Sequence, residues 1–217
     1  MTYKIVSDSS CNRFSLENIA FENVPMKIRT DNKEYVDDTN LDKAAMMNDL
    51  LKYKGKSGTA CPSVGEWLDA FGENDVVFGV TITSNLSGSY NSAVDAMHLF
   101  AENHPDKHCH IVDTLTAGPE QDLCVEKLQE LMLEGKSFED IRSEISEYIK
   151  STHLLFSLES LKNLANNGRT SQVVAAMAGI LGIRLVGKAS DHGTLEPMHK
   201  CRGEKKALET IYKEMQL

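Results

Sequence analysis

Val76 to Ile82 constrains this fold more than any other stretch. It is a continuous apolar run rich in β-branched residues, long enough for a strand buried on both faces. Thr83, Ser84, Ser87, Gly88 and Ser89 follow at once, and then Tyr90, Ala93, Val94 and Met97 recur at helical spacing. The stretch reads as strand, hydroxyl-rich turn, helix. In a parallel sheet such a turn lies at the carboxyl edge of the strand, where these folds bind ligands. Open N–H groups at a helix start, the helix dipole and several hydroxyls favour an anion there.

The turn's residue types narrow that anion. A nucleotide phosphate loop carries G-x-x-x-x-G-K-[ST], whereas this turn has one glycine and no lysine. A nucleophile elbow needs glycine on both sides of its serine, and Asn85-Leu86 precede Ser87. A carboxylate, a sulfate or a lone phosphate fits better. The competing explanation is that the hydroxyls only cap the helix.

The chain has 217 residues, enough for one large domain or two small ones with a real core. Its 32 acidic against 23 basic residues give a net charge of −9, which argues against a nucleic-acid surface. No apolar run approaches the roughly 20 residues of a membrane span. The N-terminus enters a strand without a signal-peptide pattern, so a cytoplasmic protein is expected. Cys11, Cys61, Cys109, Cys124 and Cys201 lack C-x-x-C spacing and are read as small buried thiols rather than disulfides or a zinc site. No metal is expected. His108 and His110 share a strand face but have no third ligand in view, and a packed pair is the reading.

Along the chain, Lys4–Asp8 is a strand followed by the polar turn Ser9-Ser10. Val24–Ile28 reads as a second strand and Tyr35–Asp38 as a short one. Thr39 or Asn40 is expected to cap a helix with Leu41, Ala44, Ala45 and Leu51 on its apolar face. A second hydroxyl-rich loop around Thr59 leads into a helix capped by Ser63 and Glu66. His108–Asp113 is a strand, and Leu123 to Met132 and Phe138 to Ile149 are helices. Strands alternating with helices indicate a mainly parallel layer. From His153 the pattern changes. A strand, a short helix, the turn Asn166-Asn167-Gly168-Arg169, an apolar helix and a hairpin around Asp191-His192-Gly193 follow. The fold class is α/β: a mainly parallel three-layer first domain over residues 1–152, and a smaller α/β second domain with antiparallel strands over 153–217. We read that second domain as truncated.

Six motifs, in order, resemble the DegV family. They are Ile5-Val6-Ser7-Asp8-Ser9-Ser10, Val24-Pro25-Met26 with Tyr35-Val36-Asp37, and Thr59-Ala60-Cys61-Pro62-Ser63. Ser84-Asn85-Leu86-Ser87-Gly88-Ser89-Tyr90, Ile111-Val112-Asp113-Thr114, and Leu161-Lys162-Asn163-Leu164 with Gly168-Arg169 complete the set. The resemblance implies a bacterial fatty-acid-binding protein of two α/β domains, with no catalysis of its own and no cofactor. It implies a carboxylate held by Thr59 and Ser87 with Gly88, and Arg169 nearby. Ser84, Ser9 and Ser63 are secondary candidates, and Val174, Met177, Ile180 and Leu181 are candidates to line an acyl tunnel or simply to pack in the core. Some members of the family serve as the binding subunit of a fatty-acid kinase, so a kinase catalytic subunit is an implied partner. Ala60, Ser89, Asn167 and Gly118-Pro119-Glu120 depart from the family pattern.

Two other readings stay open at this stage. One is a thiol- or serine-dependent enzyme using Cys61, which precedes a helix start, or Ser87. The other is an interaction module with a degenerate lipid site.

Overall fold

The computed structural model describes residues 1–171 and 182–216. Its centre is a four-stranded parallel sheet in the order β2-β1-β6-β7. The strands are β1 (Tyr3–Asp8), β2 (Ala20–Val24), β6 (Val76–Thr81) and β7 (His108–Asp113). Every residue of β6 is buried, as its unbroken apolar run requires. Side chains alternate across the sheet. Val76, Phe78 and Val80 pack with Ile5 against helices α4 (Pro119–Leu133) and α5 (Phe138–Ile149). Val77 packs with Val6 on the other face, against Trp67 and Phe71 of α2 (Val64–Phe71) and Ala93 and Phe100 of α3 (Ser89–Asn103). Each large apolar side chain buried in these layers contributes roughly 1.5–3 kcal/mol. The three-layer parallel reading of the sequence matches this body.

Residues 27–60 depart from that reading. β3 (Lys27–Arg29), β4 (Glu34–Val36) and β5 (Gly58–Ala60) form a separate antiparallel sheet in the order β4-β3-β5. The single strand expected over Val24–Ile28 is two strands in two sheets. Pro25 brings no N–H to a ladder, and Met26 N–H turns instead to Ser9 Oγ at 3.0 Å. The helix α1 (Lys43–Lys52) is capped by Asp42, whose carboxylate accepts from Ala45 N–H at 2.9 Å, rather than by Thr39 or Asn40. None of its residues is buried, so the expected apolar face covers no core. Thr59 lies in β5 rather than in a loop.

Glu66 ties the small sheet to the parallel body. It closes a capping box with Ser63 at the start of α2 and accepts from Lys27 Nζ of β3 at 2.5 Å. Those bonds, that from Lys27 foremost, lower its carboxyl pKa to about 2.

β8 (Leu155–Leu158), β9 (Ile183–Ala189) and β10 (Leu195–Arg202) form a third, antiparallel sheet in the order β10-β9-β8. The helix α6 (Lys162–Asn166) follows β8, and α7 (Gly203–Glu214) follows β10. Val186, Cys201 and Ala207 pack on one face with Ile211, while Leu161 and Leu185 pack with Leu158 and Leu164. The β9–β10 hairpin reaches the turn after β6. Thr83 Oγ donates to Gly193 O at 3.0 Å, and Asn85 Nδ2 donates to His192 O at 2.6 Å. Gly193 has φ +72°, and a Cβ there would overlap Thr83 Oγ and stand 3.0 Å from Leu115 Cα.

Gly193→Ala is expected to destabilise the protein by about 2 kcal/mol or more, through left-handed strain and overlap with Thr83; urea unfolding measures it. Glu66→Gln is expected to cost up to about 1 kcal/mol at neutral pH, after allowance for solvent screening. A carboxyl whose pKa is depressed on folding stabilises above its unfolded pKa and loses that contribution as pH falls through the folded value. The difference between wild type and Glu66→Gln is therefore expected to shrink from pH 5 downward and to vanish below about pH 2, as read in thermal melts across that range.

Candidate functional site

β1 is followed by its neighbour on one side, β2, and β6 by its neighbour on the other side, β7. The strand order thus reverses between β1 and β6, and the crevice at their carboxyl ends is where an open α/β sheet takes a ligand. Asp8 ends β1, Thr81 ends β6 and Asp113 ends β7. The turn after β6 is fastened to these ends. Ile82 N–H donates to Asp8 Oδ2 at 2.9 Å, and Ser84 N–H donates to Asp113 Oδ1 at 3.1 Å. Within the turn, Asn85 N–H reaches Thr83 Oγ at 3.3 Å, while Leu86 and Ser87 N–H reach Thr83 O at 3.1 and 3.3 Å.

These bonds leave a defined set of donors open. Ser89 N–H is taken by Ser87 Oγ at 3.2 Å, which leaves the Ser87 proton free to donate. Among the described residues, no hydrogen bond uses the backbone N–H of Gly88 or Tyr90. The N-cap of α3 is Gly88, which has no side chain to offer. Ser87 Oγ satisfies the N–H of the first helical residue, while the N–H groups of Gly88 and Tyr90 are left to a ligand. Ser87 and Gly88 form a hydroxyl and N–H cradle at the positive end of a 15-residue helix.

Two further segments close on this cradle. The first is the run from β5 into α2. Cys61 Sγ lies 3.3 Å from where a Cβ on Gly88 would stand, and 4.0 Å from Ser92 Oγ. Thr59 is exposed two residues earlier, on β5. The second is the turn after α6. Its Asn167 Nδ2 donates to Ser57 O at 3.0 Å, fastening the turn to the approach of β5. Asn167, one of the departures from the family pattern, thus ties the turn down through its side chain. Arg169 Nε donates to Leu86 O at 2.7 Å, which sets the guanidinium beside the residue preceding Ser87. Arg13, Arg29, Arg142 and Arg184 each face a carboxylate. Arg169 is half-buried and has no ion pair among the described residues. A cation held there beside free donors, in a chain of net charge −9, fits an anionic head group.

The remaining candidates divide. Ser84 sits in the turn, half-buried, with its N–H on Asp113. Ser9 is 8% exposed and its Oγ already accepts from Met26 N–H. Ser63 Oγ is engaged with Glu66 in the capping box. Val174, Met177, Ile180 and Leu181 lie outside the described residues. Sequence reasoning missed Gln121, which donates to Asp8, and the two acids Asp8 and Asp113, which hold the turn from below. Their signal was an acidic residue at the carboxyl end of two buried strands.

The other chemistries find little support. Among the described residues, no histidine ring nitrogen is hydrogen-bonded to Ser87 or Cys61. No group of three His, Cys, Asp or Glu side chains among those residues is placed to hold a metal. His108 stacks on Phe138 at 4.9 Å, and His110 meets Phe78 edge-on at 5.9 Å. Burial, helped by Arg142, lowers the pKa of His110 to about 4. All five cysteines are free thiols. Burial raises Cys11 to about 11 and Cys109 and Cys124 to about 12. Among the described residues no helix is long and apolar enough to cross a membrane.

Comparison with known proteins places the whole chain in a family. A DegV domain-containing protein of Streptococcus pneumoniae is 43% identical over 219 residues, covering 99% of this chain and 78% of the relative. A DegV family protein from Eubacterium eligens loaded with heptadecanoic acid superposes with a TM-score of 0.96 at 45% identity, over 99% of this chain and 78% of that one. The fatty acid kinase (Fak) B3 protein of Streptococcus pneumoniae loaded with linoleic acid gives a TM-score of 0.96 at 43% identity, with the same coverage. The family model described as uncharacterised protein, DegV family, matches residues 2–217. This chain belongs to the DegV family.

Proposed function

We propose that this protein binds a long-chain fatty acid and holds its carboxylate between Ser87-Gly88, Thr59 and Arg169. The observation that carries this reading is the half-buried Arg169, anchored on Leu86 O next to a turn whose Ser87 hydroxyl and Gly88 N–H are open. One hydroxyl, backbone N–H groups and one guanidinium match the two oxygens of a carboxylate. A nucleotide phosphate would call for a lysine and a glycine-rich loop. Relatives that carry heptadecanoic and linoleic acid support the choice among anions.

The acyl tail supplies most of the affinity, at roughly 0.8 kcal/mol per buried CH₂. Charge-assisted hydrogen bonds of about 1.5–3 kcal/mol each offset desolvation of the head group. Val174, Met177, Ile180 and Leu181 are proposed to line the tail, within a unit spanning residues 153–217 that packs against residues 1–152. The protein itself does no chemistry in this reading and needs no cofactor. It presents the carboxylate to a separate fatty-acid kinase subunit, a role supported by the likeness to the Fak B3 protein. Five free thiols fit a reducing, cytoplasmic setting.

Calorimetric titration with a long-chain fatty acid tests the assignment. Ser87→Ala is expected to weaken binding roughly 10- to 100-fold, with the melting temperature within a few degrees of wild type. Arg169→Gln is expected to weaken it by a similar factor. Unchanged affinity in both variants would remove the carboxylate from this turn.

A further inference from the structure

Asp8 is fully buried at the end of β1 and faces no cation among the described residues. A lone buried carboxylate is costly unless donors surround it. Here five hydrogen bonds converge on it. Oδ1 accepts from Ser10 Oγ at 2.5 Å, Ser10 N–H at 3.3 Å and Gln121 Nε2 at 2.9 Å. Oδ2 accepts from Ile82 N–H at 2.9 Å and Ser89 Oγ at 2.7 Å. Ile82 opens the turn after β6, and Ser89 is the first residue of α3. One oxygen atom therefore pins both ends of the segment that carries Ser87 and Gly88.

We infer that Asp8 is a positioning residue for the carboxylate site, acting through Ile82 and Ser89. The inference rests on the fatty-acid reading of that site. Charge alone would argue against an acid here, because an anion beneath an anion-binding turn opposes the ligand. Geometry accounts for it. Only a carboxylate offers acceptors on both oxygens, whereas an amide would set its own N–H groups against one pair of donors. Ser89 is buried with its hydroxyl bonded to Asp8, so threonine could serve and alanine could not. The remaining charged groups near this corner are engaged elsewhere. Arg13 pairs with Asp122 and Glu126, Asp113 takes the N–H groups of Ser84 and Leu115, and Glu120 takes the Thr116 hydroxyl.

The test compares hexadecanoic acid with 1-hexadecanol, which shares the tail but lacks the charge. Calorimetry on the whole chain gives the acid-to-alcohol affinity ratio for wild type, Asp8→Asn, Ser89→Ala and Ser89→Thr. Positioning by Asp8 predicts that the ratio falls tenfold or more in Asp8→Asn and Ser89→Ala, and stays near wild type in Ser89→Thr. Ser89→Ala carries the test alone if Asp8→Asn does not fold. An unchanged ratio with equal losses for both ligands would reduce Asp8 to a structural part and overturn the inference. A higher ratio in Asp8→Asn would mean that its charge, not its geometry, is what the ligand senses, and would overturn it equally. Either result leaves the fatty-acid reading standing. A wild-type protein that binds no hexadecanoic acid would overturn both.

Discussion

The parallel pairing of β1 with β6 is the constraint on which the rest of this structure depends. Its register, Tyr3 opposite Val76 through Ser7 opposite Val80, sets Asp8 level with the first residues of the turn after β6. That level decides which N–H and O–H groups the Asp8 carboxylate meets. It also sets where the strand order reverses, and so where the crevice opens. Both faces of the pair are sealed, by α4 and α5 on one side and α2 and α3 on the other. A one-residue slip would turn Val76, Phe78 and Val80 toward the wrong layer, and burial of these large side chains forbids it.

The turn after β6 depends on other segments for its shape. Asp8 and Asp113 hold it from below, the β9–β10 hairpin grips Thr83 and Asn85, and Arg169 holds Leu86. With so many backbone groups fixed from outside, Ser87 and Gly88 remain as open donors on a rigid frame. Rigid, pre-aimed donors lower the ordering cost of binding. Arg169 belongs to both sets, since it holds Leu86 and faces the proposed ligand, whereas Asp8, Asp113 and the hairpin act on the frame alone.

Much of this was legible in the chain. A continuous apolar run announced β6, strand patterns marked β1 and β7, and Ser63 with Glu66 announced the start of α2. The strand–turn–helix at residues 76–94 pointed to an anion before any geometry was known. Local pattern failed where partners lie far away. Leu51 looked like part of a core face, yet it is 74% exposed, because nothing packs on α1 there. Pro25 split what looked like one strand between two sheets. Asp8 reads as an ordinary strand end, because its partners Ser89 and Gln121 are 81 and 113 residues away. Arg169 reads as a turn residue until Leu86, 83 residues earlier, is placed beside it.

The central claim is that the carboxyl edge of the parallel sheet is a fatty-acid site. Mass spectrometry of small molecules extracted with solvent from the purified protein tests it most directly, before and after incubation with a mixture of fatty acids. The geometry predicts a long-chain fatty acid at about one per chain, with lower occupancy in the Ser87→Ala variant. An extract without fatty acid, even after incubation, would contradict the claim.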